Sequence, residues 1–161
     1  MIKYFNSYQA AEIMNVNVST IKRWTNSKKL DCSQTAGGHR KFTLYQINEF
    51  LKNHKKKNQI NIYKISDSLN EILCNHIESL DYNQLKIYFL DILLKGETNR
   101  ITSILEALYL KNAPLYKIYD KLVNPTLSRI GILWERGDIS IASEHLASNT
   151  LNKAINNLNN L

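Results

Sequence analysis

The sequence predicts a mostly α protein in two parts: an N-terminal winged helix-turn-helix with a small β-hairpin wing, then a bundle of four to five helices. Three observations carry this expectation. Two short helical patterns separated by a three-residue turn open the chain, and a Gly-Gly hairpin follows them. From residue 61 on, apolar residues recur at helical spacing with scarcely a break. The charge divides at the same place: residues 1–60 hold 11 Lys and Arg against 3 Asp and Glu, whereas residues 61–161 hold 10 against 11. The net charge of +7 therefore belongs to the first part, which is the part expected to face a polyanion.

Ser7 is a natural N-cap for a first helix reaching about residue 14, with Ala10, Ala11, Ile13 and Met14 on one side. Asn15 to Asn17 make the turn. A second helix starts near Ser19, turning Ile21 and Trp24 inward and Thr20, Lys22, Arg23 and Asn26 outward. A short helix, a tight turn and a polar second helix make a helix-turn-helix. Two extended segments, residues 30–35 and 40–43, flank Ala36-Gly37-Gly38-His39, where glycine permits the positive φ of a tight hairpin. A third helix over residues 44–52 brings Leu44, Ile47, Phe50 and Leu51 to close a core with Ile13, Ile21 and Trp24. Residues 1–52 then form one domain, and residues 53–61, with Lys55, Lys56 and Lys57, a basic linker.

In the helical part, residues 62–161, one stripe runs through Ile65, Leu69, Ile72, Leu73, Ile77 and Leu80, and a second through Leu85, Phe89, Ile92 and Leu93. Gly96 precedes a segment that Thr98 caps, and Pro114 opens the next. Pro125 is expected to kink or break that helix, because it has no N–H and crowds the preceding turn. Gly137-Asp138 forms a turn before the last helix.

A second helix of this kind enters the major groove, so Ser19, Thr20, Lys22 and Arg23 are candidate DNA contacts, with Arg23 the best candidate for a base edge. Thr35-Ala36-Gly37-Gly38-His39-Arg40-Lys41-Phe42, with Ala10-Ala11-Glu12 and Thr20-Ile21-Lys22-Arg23-Trp24 upstream, resembles the winged helices of the MerR family and of excisionases. The resemblance implies a DNA-binding wing in which Arg40 projects from the tip, His39 and Lys41 assist, and Phe42 anchors the hairpin to the core.

The stretch from Asn124-Pro125 through Ile130-Gly131-Ile132-Leu133-Trp134 to Glu144-His145 resembles the helical cap of cobalamin-binding regulators, including light- and cobalamin-responsive repressors. In that family a Trp is followed after nine residues by Glu-His, as Trp134 is by Glu144-His145. The resemblance implies that Trp134 lies against the ligand on cobalt and that Glu144 and His145 hold a ribosyl or adenine group beside it. The effector would then be a cobalamin, adenosylcobalamin, in a longer form of the chain. Two departures qualify this: no α/β domain with an Asp-x-His-x-x-Gly motif follows, and Glu135 stands where light-responsive members have His. Either the chain is part of a longer regulator, or its cap serves another ligand or partner.

The leading expectation is a bacterial, cytoplasmic transcription regulator that binds a double-stranded operator as a homodimer or higher oligomer. The alternative is an excisionase-like or architectural DNA-binding accessory protein without a small-molecule ligand. An enzyme is not expected, since no catalytic constellation appears and Asp and Glu are scattered along helix faces. Cys32 and Cys74 are isolated, so neither a disulfide framework nor a metal site is expected. No apolar run approaches the ~20 residues that span a bilayer.

Overall fold

The computed structural model describes residues 3–54 and 60–159. It divides into two compact units, one ending at Asp67 and the other beginning at Ser68. The expected basic linker falls, over residues 55–59, outside the described residues.

The first unit opens with β1 (Phe5–Asn6), which runs directly into α1 (Ser7–Ile13). The N-cap is Asn6 rather than the expected Ser7. Its Oδ1 accepts from the N–H groups of Tyr8 and Gln9, both at 2.9 Å, while Gln9 Oε1 accepts from the Asn6 N–H at 2.9 Å. Counting from Asn6 puts Gln9 at the third helical position, where it completes a reciprocal capping box; counting from Ser7 puts Ala10 there, which has nothing to return. Asn15, at φ +50°, turns the chain into α2 (Val18–Asn26), whose one buried side chain is Ile21.

β2 (Ser33–Gln34) and β3 (Arg40–Phe42) form the hairpin, and β1 adds to its other edge, giving the antiparallel order β1-β3-β2. The register sets Phe5 opposite Phe42 and Ser33 opposite Lys41. At the tip, the Gly38 N–H donates to Thr35 O at 2.8 Å and Gly38 takes φ +76°, a conformation open to glycine at little cost. Thr43 then caps α3 (Leu44–Asn53) in a second box with Gln46. Ile13, Ile21, Phe42, Leu44 and Ile47 are fully buried and make the core, and Phe42 anchors the wing to it.

The apolar run expected to form one helical stripe from Ile65 to Leu80 is divided. Residues 60–67 return to the first unit: the Asn61 N–H donates to Ile13 O at 2.7 Å, and Ile62 is fully buried in a single 3-10 turn (Ile62–Lys64). Helix α4 (Glu71–Glu78) begins only after Asn70, whose side chain accepts from the Leu73 N–H. Ile72 is consequently 51% exposed.

The second unit continues with α5 (Tyr82–Leu94), α6 (Thr98–Leu110), α7 (Leu115–Ile118), α8 (Asn124–Glu135) and α9 (Ile141–Asn159). Phe89, Ile101, Leu108, Leu122, Ala147 and Ala154 are fully buried within this bundle, and α9 packs along both α5 and α6. Pro125 does not break its helix. Between α7 and α8 the chain forms a π turn (Tyr119–Val123), in which the Asn124 N–H reaches back five residues to Tyr119 O. The wider turn absorbs the crowding of the pyrrolidine ring, and Pro125 falls in the first turn of α8, where a missing N–H matters least.

Candidate functional site

In the first unit, the outer face of α2 exposes Ser19, Lys22 and Arg23, with Thr20 half-buried. Asn17 caps this helix without a side-chain hydrogen bond, and the Thr20 N–H donates to Asn17 O at 2.9 Å. Trp24 is half-buried, its ring 4.6 Å from Phe50, and Phe50 in turn stacks on His54 at 4.2 Å. The indole braces α2 against α3 at the edge of the core.

The wing departs from expectation at one residue. Arg40 opens β3 and does not project from the tip: its Nη2 donates to Asn26 Oδ1 at 2.7 Å, and its Nε is buried without a hydrogen-bond partner among the described residues. The tip is occupied by exposed Gly37, Gly38 and His39. Lys41 is exposed beside Tyr4, its Nζ 5.5 Å from the ring centroid. Sequence reasoning missed Tyr4, because the two-residue β1 that brings it to Lys41 has no readable periodicity. It also missed Lys28 and Lys29, exposed just past the end of α2, although their charge was visible.

The electrostatics of this surface are one-sided. Lys52 pairs with Glu49 at 3.2 Å and Lys64 with Glu12 at 3.8 Å. Lys22, Arg23, Lys28, Lys29 and Lys41 have no acidic partner among the described residues, and all lie on α2, the turn after it or the wing. Such a surface holds its own counterions and releases them when a polyanion replaces them.

In the second unit, Trp134 lies in the last turn of α8 and is 47% exposed. Glu144 and His145 sit in the first turns of α9, which packs on α8. The structure brings that pair together: His145 Nδ1 is 2.8 Å from Glu144 Oε2, while Glu144 Oε1 accepts from Ser148 Oγ at 2.8 Å. Glu144 is thus fixed on both oxygens, and the imidazole it holds stays open to solvent. Exposed Ile132, Ile141 and Leu146 share these two helices. Among the described residues no three His, Cys, Asp or Glu gather as a metal site.

Residues 4–55 match the family model of a helix-turn-helix domain, and residues 89–159 match that of a B12 binding domain. The first match runs from β1 past the end of α3; the second runs from the middle of α5 through α9 and includes Trp134, Glu144 and His145. No curated protein matches the chain. A DNA-binding helix-turn-helix domain is thus followed by a helical domain of the B12-binding kind.

Proposed function

We propose that this chain is a transcription regulator of MerR type, in which α2 enters the major groove of an operator, the hairpin lies alongside as a wing, and the helical unit receives an effector. The observation that carries this reading is that, among the described residues of the first unit, five exposed cations without an acidic partner gather on α2, its following turn and the wing. Lys22 and Arg23 supply the direct contacts, with Ser19 and Thr20 at the N-terminal end of α2 and His39 and Lys41 on the wing. Action is by binding rather than catalysis, as a homodimer on two half-sites one helical turn, ~34 Å, apart. The setting is the bacterial cytoplasm; no helix among the described residues is long and apolar enough to cross a membrane.

The effector, by likeness to the B12 binding domain, is a cobalamin. Trp134 would lie against the bound group, and Glu144, which pairs with His145 and accepts from Ser148, would hold the imidazole for a hydrogen bond to it. Bound there, the cobalamin supplies a reactive Co–C bond as the sensed element. The chain's own residues would shield that side from water and hydrogen-bond to the group.

Fluorescence anisotropy with a labelled duplex tests the DNA reading. Affinity should fall steeply as salt rises, and Lys22→Ala and Arg23→Ala should each weaken it, Arg23→Ala also relaxing sequence preference by ~1–3 kcal/mol if the guanidinium reads a base. Affinity independent of salt and of both substitutions rejects the reading. Adenosylcobalamin mixed with the protein tests the effector separately: an unchanged corrinoid spectrum and no binding heat remove the cobalamin and leave the DNA interface standing.

A further inference from the structure

A groove runs along the second unit between α5 and the path from the π turn into α8. Two adjoining cavities, of about 420 and 390 Å³, make it up, and both are lined by Asn83, Lys86 and Pro125. Its two ends differ in chemistry. Lys86 on one wall and Lys121 on the other flank the first cavity, together with Tyr82; the second is floored by Ile87 and Leu90 and edged by Arg129.

Three cations elsewhere in the same unit have acidic partners. Lys95 pairs with Asp91, Arg100 with Glu97 and Lys111 with Glu78. Lys86, Lys121 and Arg129 have no ion-pair partner among the described residues. Of the two acids at the groove, Asp81 is already engaged: its Oδ1 accepts from the N–H groups of Asn83 and Gln84, and its Oδ2 lies 3.8 Å from His76. Asp81 and Asp120 together leave the three cations in excess.

Tyr82 adds a donor. It lines the first cavity, and its hydroxyl is buried without a hydrogen-bond partner among the described residues. A buried, unmade hydrogen bond is costly, so a small rotation of the ring toward the cavity, meeting an incoming acceptor, relieves that cost. Burial also raises the phenol above its ordinary value, which keeps the proton available to donate. The wall itself is unusual, since the π turn and Pro125 replace a regular helical surface at this point, and such turns gather at functional sites.

We infer that this groove binds an amphipathic organic anion. A carboxylate or phosphate head accepts hydrogen bonds from Lys86, Lys121 and the Tyr82 hydroxyl, and an apolar body lies along Ile87 and Leu90, with Arg129 at its far end. None of these residues belongs to the Trp134, Glu144 and His145 face, so the site is independent of the cobalamin reading.

Amide resonances of the full chain, titrated with sodium decanoate below its micellar concentration, test the inference. Saturable shifts confined to residues 82–90 and 120–129 are expected, with affinity about tenfold weaker in Lys86→Gln/Lys121→Gln through loss of two charge-assisted contacts. Tyr82→Phe, which removes only the hydroxyl, should weaken binding by a smaller factor, and its unchanged amide fingerprint elsewhere would report an intact fold. Decyltrimethylammonium, with the same tail and the opposite charge, should leave the groove undisturbed. Equal shifts from both amphiphiles, undiminished affinity in the double variant, or no saturable shift with decanoate would each overturn it.

Discussion

Arg40 and Asn26 are joined by a 2.7 Å hydrogen bond that ties the first residue of the last wing strand to the last residue of α2. The wing is thereby held to the helix proposed to face DNA. Arg40→Ala and Asn26→Ala should each weaken duplex binding, and the double variant should lose little more than either single, as expected for two groups acting through one bond. Lysine at position 40 should not restore affinity, since an ammonium lacks the planar fork. Fully additive losses in anisotropy titrations would show instead that Arg40 grips phosphate on its own.

Gly96 takes φ +73°, and a Cβ built on it would meet Leu146 Cδ1 at 3.0 Å. Gly96→Ala should therefore lower stability by about 1–2 kcal/mol, from a strained backbone and a crowded contact together. Leu146→Ala in the same background separates them in a thermal melt: it relieves the contact and leaves the φ strain. A melting temperature unchanged by Gly96→Ala would contradict both.

Asn48, 1% exposed in α3, has neither amide group hydrogen-bonded among the described residues. Replacing it by alanine removes two unmet polar atoms and improves helix propensity, which should raise unfolding stability by about 1 kcal/mol. Chemical denaturation measures this directly, and a clear loss of stability would mean that the amide has a partner in solution.

The two thiols should react unequally. Cys74 is fully buried, and its thiol is held above the ordinary range first by desolvation and then by the negative charge of Glu78. Cys32 is half-buried. Ellman's reagent near pH 8 should label Cys32 well before Cys74, which reacts fully only on unfolding. Because the folded-state value is raised, Cys74 contributes stability that is present below the ordinary thiol value and is lost as pH rises through the raised one. Equal rates in the native protein would argue against this burial.

Much of this was legible from local chemistry. The hairpin followed from Gly37-Gly38 because positive φ is a property of single residues, and the outward face of α2 followed from helical period. Other features depend on encounters between distant segments. Asn26 and Arg40 are each ordinary polar residues until the fold sets them side by side, so the inward turn of Arg40 had no local signal. The return of residues 60–67 to the first unit was hidden for a similar reason: Ile62 and Ile65 have the same apolar character as the stripe that follows. At Pro125 the local rule held in part, since the ring does demand a departure from α geometry, but a π turn meets that demand without ending the helix.

The two tryptophans are divided between the units, and their surroundings differ. Trp24 lies against Phe50, with His54 stacked behind it, whereas Trp134 faces solvent. Each half of the molecule thus contains its own optical reporter. With Trp134→Phe the remaining emission should follow events at α2, including quenching when duplex DNA docks; with Trp24→Phe it should follow the helical unit alone, so that occupancy of the two halves can be observed separately in one cuvette.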